Sequence, residues 1–163
     1  MVDDRLLRQQ LRSLLRSENA HMCFDEAVAD FPMDQINTLI PNGNYTPWHI
    51  LEHLRLAQRD ILLFMTDPAY EEPNWPDEYW PAHDAKATPP EWDRTIDGFR
   101  ADLAEFERLL QDDQFDLEQT VPWGSGQTYL REFLLVADHN AYHIGEFGVL
   151  RQIMRTWPAG HTK

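Results

Sequence analysis

The sequence predicts an all-α protein: an antiparallel four-helix bundle with a long Pro/Trp-rich excursion between the second and third main helices. Two observations carry this. Apolar residues recur at three- and four-residue intervals over several long stretches, the period of a helix with one buried face. Strand signals are almost absent, with no sustained period-two run. With 163 residues, 42% of them hydrophobic and 12% aromatic, residues 1–163 are expected to form a single domain with one core.

Each element has a local reason. Asp3 or Asp4 is placed to cap a first helix, in which Leu6, Leu7, Leu11, Leu14 and Leu15 have helical spacing. The polar stretch Ser17-Glu18-Asn19 breaks it. A short second piece presents Phe24, Ala27, Val28 and Phe31 on one side and is stopped by Pro32. Thr46 is a good N-cap and Pro47 a good first helical residue, so the second main helix is expected from Pro47 to about Phe64. From Asp67 to Pro90 the chain carries Pro68, Pro73, Pro76, Pro81, Pro89 and Pro90 together with Trp75, Tyr79 and Trp80. Prolines at that density exclude a helix or a central strand. The aromatics favour an ordered excursion, and long loops in compact domains are often functional. Thr88 and the two following prolines start the third main helix, with Trp92, Ile96, Phe99, Leu103, Phe106 and Leu110 along it. Gly124-Ser125-Gly126 breaks the chain again. The last helix is expected from Thr128 to about Trp157, with Pro158 beyond.

Charge narrows the partners. A net charge of −14 argues against DNA or RNA, whose phosphates would be repelled, and against an anionic membrane surface. A small molecule, a cation or a protein partner remains. No stretch reaches the roughly 18–20 apolar residues of a membrane helix. Met1-Val2-Asp3-Asp4-Arg5 is charged at once, with no apolar signal region behind it. Cys23 is the single cysteine, so neither an internal disulfide nor a cysteine-based zinc site can form. A cytoplasmic protein is expected.

The residues that carry chemistry are histidines. His139 and His143 stand four apart in the last helix, and i and i+4 stack on one helix face, so both imidazoles can reach a common point. That geometry suits a divalent transition metal. On this helix Leu135, His139, Tyr142, Glu146, Val149, Ile153 and Trp157 recur as a buried seam, with His143 flanking it. The opposite face carries Leu130, Leu134, Ala137, Ala141, Ile144 and Gly148, so the helix is expected to be buried nearly all round. On the Pro47 helix Ile50, Leu54, Ala57, Ile61 and Phe64 form the inner stripe and Glu52, Arg55 and Arg59 the outer face. His53 falls about 40° from the stripe's centre and His49 about 40° further out, which makes His53 the third candidate ligand. The plain alternative is a set of core histidines bonded to Asp60, Asp138, Glu146 or Tyr142. His21, His83 and His161 lie outside the seams. His49-Ile50-Leu51-Glu52-His53 also matches the inverted zinc-protease pattern H-x-x-E-H, with Glu52 as base. Against it, Glu52 shares the outer face with two arginines. The late pair has Asn140 where the pattern H-E-x-x-H requires Glu.

Two segments, Thr46-Pro47-Trp48-His49-Ile50-Leu51-Glu52-His53-Leu54 and Asp138-His139-Asn140-Ala141-Tyr142-His143-Ile144-Gly145, together with the helix order between them, resemble the DinB-like family of damage-inducible bacterial proteins. The resemblance implies a four-helix bundle with three metal-binding histidines from these two helices. By position these are His53, His139 and His143, the three that helical phase selects. The implied cofactor is a divalent transition metal, zinc or nickel first, with manganese and iron also able to fit. Three imidazoles leave an open coordination position, as in catalytic zinc.

Characterised relatives include thiol S-transferases and isomerases that use low-molecular-weight thiols. The resemblance therefore implies a metal-dependent enzyme acting on a small-molecule substrate, as a thiol S-transferase or a hydrolase. A non-catalytic metal-binding stress-response or interaction module is the alternative, and a homodimer is one assembly open to the chain, whose oligomeric state the sequence does not fix. The sequence departs from the family pattern at Glu146, where relatives usually have Gln. That carboxylate is the candidate catalytic residue, as metal ligand, as acceptor orienting a histidine, or as base. Trp75, Tyr79 and Trp80 are expected either to wall the pocket or to cover the bundle or a dimer contact.

Overall fold

The computed structural model describes residues 4–17 and 20–160. Of the expectations above, the Asp3 cap, the break at Glu18-Asn19 and His161 lie outside the described residues. Among the described residues there are five α-helices: α1 (Asp4–Leu15), α2 (Phe24–Val28), α3 (Pro47–Thr66), α4 (Pro89–Gln111) and α5 (Tyr129–Met154). Among the described residues there is no strand, only an isolated bridge between Thr120 and Thr128. No described helix is long and apolar enough to cross a membrane.

The helix starts follow from their caps. The Thr46 hydroxyl accepts the His49 amide at 3.2 Å, and Pro47 gives up no hydrogen bond at the first position of α3. Thr88 and Glu91 form a capping box on α4, with the Thr88 amide donating to Glu91 at 2.6 Å. Thr128 caps α5 through the Arg131 amide at 3.2 Å. The helix stops three residues short of Trp157 because Arg155 turns left-handed, at φ 57°. Inside that end the buried Arg151 guanidinium donates to the carbonyls of Ala27, Ala29 and Thr156 at 2.7–2.9 Å, tying α5 to the end of α2. The α2 helix ends at Val28, before Pro32, because Ala29 is extended and Asp30 has φ 52°.

In the bundle α3 packs against α4 and α5, and α1 closes the other side against the same two helices. Of the five leucines on α1, Leu11 and Leu15 are buried, while Leu6 and Leu14 are exposed. The buried guanidinium of Arg8 instead donates to the carbonyls of Asp112 and Phe115, fastening α1 to the loop after α4.

The core is divided into two apolar clusters. One gathers Phe24, Phe31, Leu54, Trp92, Phe99, Ile144 and Phe147; the other Leu11, Leu62, Met65, Phe106, Leu110, Phe133 and Val136. Between them, along α3, α4 and α5 alike, lies a polar waist of buried His53, Gln58, Asp102, Asn140 and His143. Gln58 donates to the Phe99 carbonyl at 2.7 Å and accepts from Asn140 at 2.7 Å. Asp102 accepts from Arg59 at 2.9 Å, and burial pushes its carboxyl pKa upward against that partner.

One expectation needs correcting. The buried line of α5 runs through Phe133, Val136, Ala137, Asn140, His143, Ile144, Phe147 and Arg151, whereas Tyr142, Val149 and Ile153 of the expected seam are exposed. Leu134, on the other expected face, is exposed as well, so the helix is not buried all round. Apolar residues occur on every side of α5, and periodicity therefore could not choose among its faces.

Candidate metal centre

His53 comes from the middle of α3, and His139 and His143 from the middle of α5, where the two helices lie side by side. Their ring nitrogens converge. His53 Nε2 stands 3.2 Å from His143 Nε2 and 3.3 Å from His139 Nε2. These three form a group of the kind that can hold a metal ion, with His53 and His143 buried and His139 half-buried.

The outer nitrogens explain why the inner ones face each other. His53 Nδ1 lies 2.7 Å from the Tyr79 carbonyl, which can only accept, so Nδ1 carries the proton. Burial lowers the pKa of His53, which favours the neutral ring, and in a neutral ring with Nδ1 protonated Nε2 bears a lone pair. His143 Nδ1 lies 2.7 Å from Glu146 Oε2. The hydrogen bond from His143 holds the Glu146 carboxyl below its ordinary pKa, so it accepts, and His143 Nδ1 carries the proton while its Nε2 faces inward. The lone pair of His53 Nε2, 3.2 Å from His143 Nε2 and 3.3 Å from His139 Nε2, can take either a proton from a neighbouring ring or a cation shared by all three. Nitrogens bound at about 2.0–2.1 Å to one tetrahedral ion stand roughly 3.3–3.4 Å apart, close to the observed 3.2 and 3.3 Å, so the spacing fits a shared ion. Burial, with the neighbouring His143 and His53 adding to it, lowers the His139 pKa to about 4, which keeps this ring neutral as well. His139 Nδ1 and Asn140 Oδ1 are buried, with no hydrogen-bond partner among the described residues.

The excursion supplies much of the surrounding wall. Trp80 stacks on His53 with ring centroids 3.8 Å apart and planes within 4°. Tyr79 reaches past its own carbonyl: its hydroxyl donates to Asp60 at 2.8 Å, beside that of Tyr70 at 2.6 Å, and so pins the loop to α3. Burial and the shared Asp60 carboxylate push the pKa of both tyrosines up. Tyr45, from the segment before α3, donates to Glu146 and faces Trp80 across 6.0 Å.

The sequence candidates thus separate. His53, His139, His143 and Glu146 are brought together. His49 is buried but turned away, with Nε2 2.8 Å from the Ala85 carbonyl, where it anchors the far end of the excursion. Glu52 is engaged by Arg55 and by the Thr95 hydroxyl on the α4 side, so the H-x-x-E-H pattern does not assemble. His21 and His83 are exposed. Asp60, weighed as a histidine partner, serves two tyrosines, and Tyr142 meets His143 only edge-on at 4.8 Å. Trp75 is exposed and packs on Tyr79, leaving Trp80 to wall the site.

Sequence reasoning missed Tyr45, the Tyr79 carbonyl and the Asn140–Gln58 pair. The first two come from irregular segments, where no periodicity marks an inward residue. The Asn140–Gln58 pair was within reach, since both polar residues lie one turn from a candidate ligand on a helix.

A sequence model of the DinB superfamily matches residues 8–147. No curated protein and no solved structure matches the chain.

Proposed function

The chain belongs to the DinB superfamily, and we propose that it is a metal-dependent enzyme in which His53, His139 and His143 hold one divalent transition metal ion. The observation that carries the reading is the convergence of the inward Nε2 atoms of His53 and His143, 3.2 Å apart, with each ring fixed by an outer hydrogen bond. A divalent ion bound there supplies a Lewis acid that lowers the pKa of a thiol or water in its open position. Zinc or nickel suits three imidazoles best, with manganese or iron as alternatives. The proposed reaction is transfer of a small-molecule thiol to an electrophile, with hydrolysis as the nearest variant.

The protein's own residues prepare that chemistry. The Tyr79 carbonyl and Glu146 hold the outer nitrogens of His53 and His143, so neither ring must rotate on binding. Of the roles open to Glu146, orienting His143 has the most support. Its two oxygens are engaged by His143 and Tyr45, and its depressed pKa makes it a weak base. Trp80 covers one face of His53 and excludes water from that side.

Elemental analysis of protein purified without an affinity tag tests the site. About one equivalent of metal is expected, and its loss in His53→Ala. A content near zero that stays so after incubation with zinc, nickel and manganese overturns the reading. Turnover of an electrophile with a panel of low-molecular-weight thiols, and its loss in a folded His139→Ala variant, separates the enzyme from a non-catalytic metal-binding module.

A further inference from the structure

Each ring of the metal centre has an inner and an outer nitrogen, and for two rings the outer partner is plain. The Tyr79 carbonyl stands 2.7 Å from His53 Nδ1, and Glu146 stands 2.7 Å from His143 Nδ1. The third ring differs: His139 Nδ1 is buried and unpaired among the described residues. So is Oδ1 of the next residue, Asn140. An amide oxygen can only accept, whereas a neutral imidazole can carry its proton on either nitrogen. Closing one bond between them satisfies two buried polar atoms at once.

An asparagine amide can present either end to a neighbour, and here the choice is made outside the site. It begins at Phe99 on α4, whose backbone carbonyl accepts from Gln58 Nε2 at 2.7 Å. A carbonyl cannot donate, so Gln58 is fixed with Oε1 toward α5. That oxygen accepts from Asn140 Nδ2 at 2.7 Å, which leaves Oδ1 as the open end of the amide. Turning either amide over sets two donors or two acceptors face to face. With Gln58 0% and Asn140 3% exposed, bulk water cannot make up the loss.

The orientation bears directly on ligation, because His139 Nε2 lies 3.3 Å from His53 Nε2. With its proton on Nε2, His139 donates to His53 and has no lone pair for a cation. With the proton on Nδ1, the inner lone pair is free. Burial has the largest effect on the His139 ring and lowers its pKa; Asn140 opposes that, as an acceptor beside a ring nitrogen does.

We propose that Asn140 is a positioning residue for His139: its Oδ1 holds the His139 proton on Nδ1, and Gln58 with the Phe99 carbonyl holds Asn140 in the orientation to do so. The inference rests on the metal site proposed above. It gives each of the three histidines its own outer acceptor: a carbonyl, a carboxylate and an amide.

Two measurements on the full chain test this. Long-range proton–nitrogen correlation spectra of the labelled, metal-free protein at neutral pH report which ring nitrogen carries the proton. Wild-type His139 is expected to carry it on Nδ1, and Gln58→Leu to shift it toward Nε2. Titration calorimetry with zinc, or with nickel where the wild type prefers it, reads the consequence. Loss of an outer partner typically weakens metal binding about 10–100-fold. That loss is expected for Asn140→Leu and also for Gln58→Leu, although Gln58 is bonded to no histidine. The double variant Gln58→Leu/Asn140→Asp is expected to recover most of the affinity, because a carboxylate accepts through either oxygen and needs no partner to orient it. A merely structural pair predicts the reverse, since burying a charge beside a lost partner adds to the damage. A wild-type His139 protonated on Nε2 overturns the proposal. So does a Gln58→Leu variant, folded by circular dichroism, with wild-type affinity, or a double variant that binds no better than Gln58→Leu. A wild type that binds no metal sinks the metal site instead, and the spectra then decide the role of Asn140 by themselves.

Discussion

The polar waist and the apolar cluster beneath it are built from the same three helices one or two turns apart, yet they spend their burial differently. In the lower cluster Phe106 and Phe133 are fully buried and meet edge to face at 5.8 Å, with Phe115 edge-on to Phe133 at 6.3 Å. Every such contact stabilises the fold and asks for no partner of special chemistry. At the waist, His53, His143, Gln58 and Asn140 are equally withdrawn from water, and each side chain must find a specific hydrogen bond. The waist finds most of them through a loop carbonyl, a carboxylate and a helix carbonyl. What remains unpaired at the waist, among the described residues, are His139 Nδ1 and Asn140 Oδ1. The lower cluster holds the bundle together, and the waist carries a polar burial cost that its hydrogen bonds meet in part and that the proposed cation would offset further.

Substitutions on the two sides should therefore fail in different ways. The largest stability loss is expected for Phe133→Ala, about 3–5 kcal/mol in urea unfolding, because a fully buried ring leaves a cavity. The folded fraction of that variant should still bind metal in the wild-type ratio. Metal addition comes next. Free zinc or nickel at 100 times the dissociation constant should stabilise the wild type by about 2.7 kcal/mol and leave His53→Ala unmoved. Equal stabilisation of both would place the ion elsewhere and erase the contrast.

Smaller effects probe how the loop serves the waist. Tyr79→Phe removes the hydrogen bond to Asp60 while keeping the carbonyl that holds His53. A loss of about 0.5–1.5 kcal/mol is expected, with weaker metal binding in titration calorimetry and a wild-type helix content. Unchanged affinity would mean that the carbonyl needs no anchor. The smallest effect lies far from both regions, where Arg16 and Arg12 on the α1 side hold Glu107 on α4. The Arg16 hydrogen bond keeps the Glu107 pKa below its ordinary value. Its contribution is thus present above the unfolded carboxyl range and is lost as pH falls through the lower folded value. Solvent screening limits it to roughly 0.2–1 kcal/mol. Glu107→Gln should flatten stability against pH in that acidic window and leave metal binding untouched.

Local chemistry made much of this legible in the sequence. Thr46-Pro47 and Thr88-Pro89 mark helix starts because cap and first-turn demands are met by neighbouring residues alone. His53 was placed by phase because α3 has a polar outer face to contrast with its inner one. The same reasoning misplaced the buried face of α5, where Tyr142 and Val149 are as apolar as Phe133 and Phe147. His139 and His143 survived that error only because the i, i+4 relation holds whichever way the helix is turned.

By itself, then, the sequence determined the helices, their caps, the excursion and which histidines could act together, since these depend on spacing within a few turns. Only the tertiary structure decided that the rings meet nitrogen to nitrogen, that His49 serves Ala85 and Tyr79 serves His53, and which side of α5 is left uncovered. Those outcomes rest on contacts between residues 26 to 90 positions apart, and on loop carbonyls whose direction no side-chain pattern records.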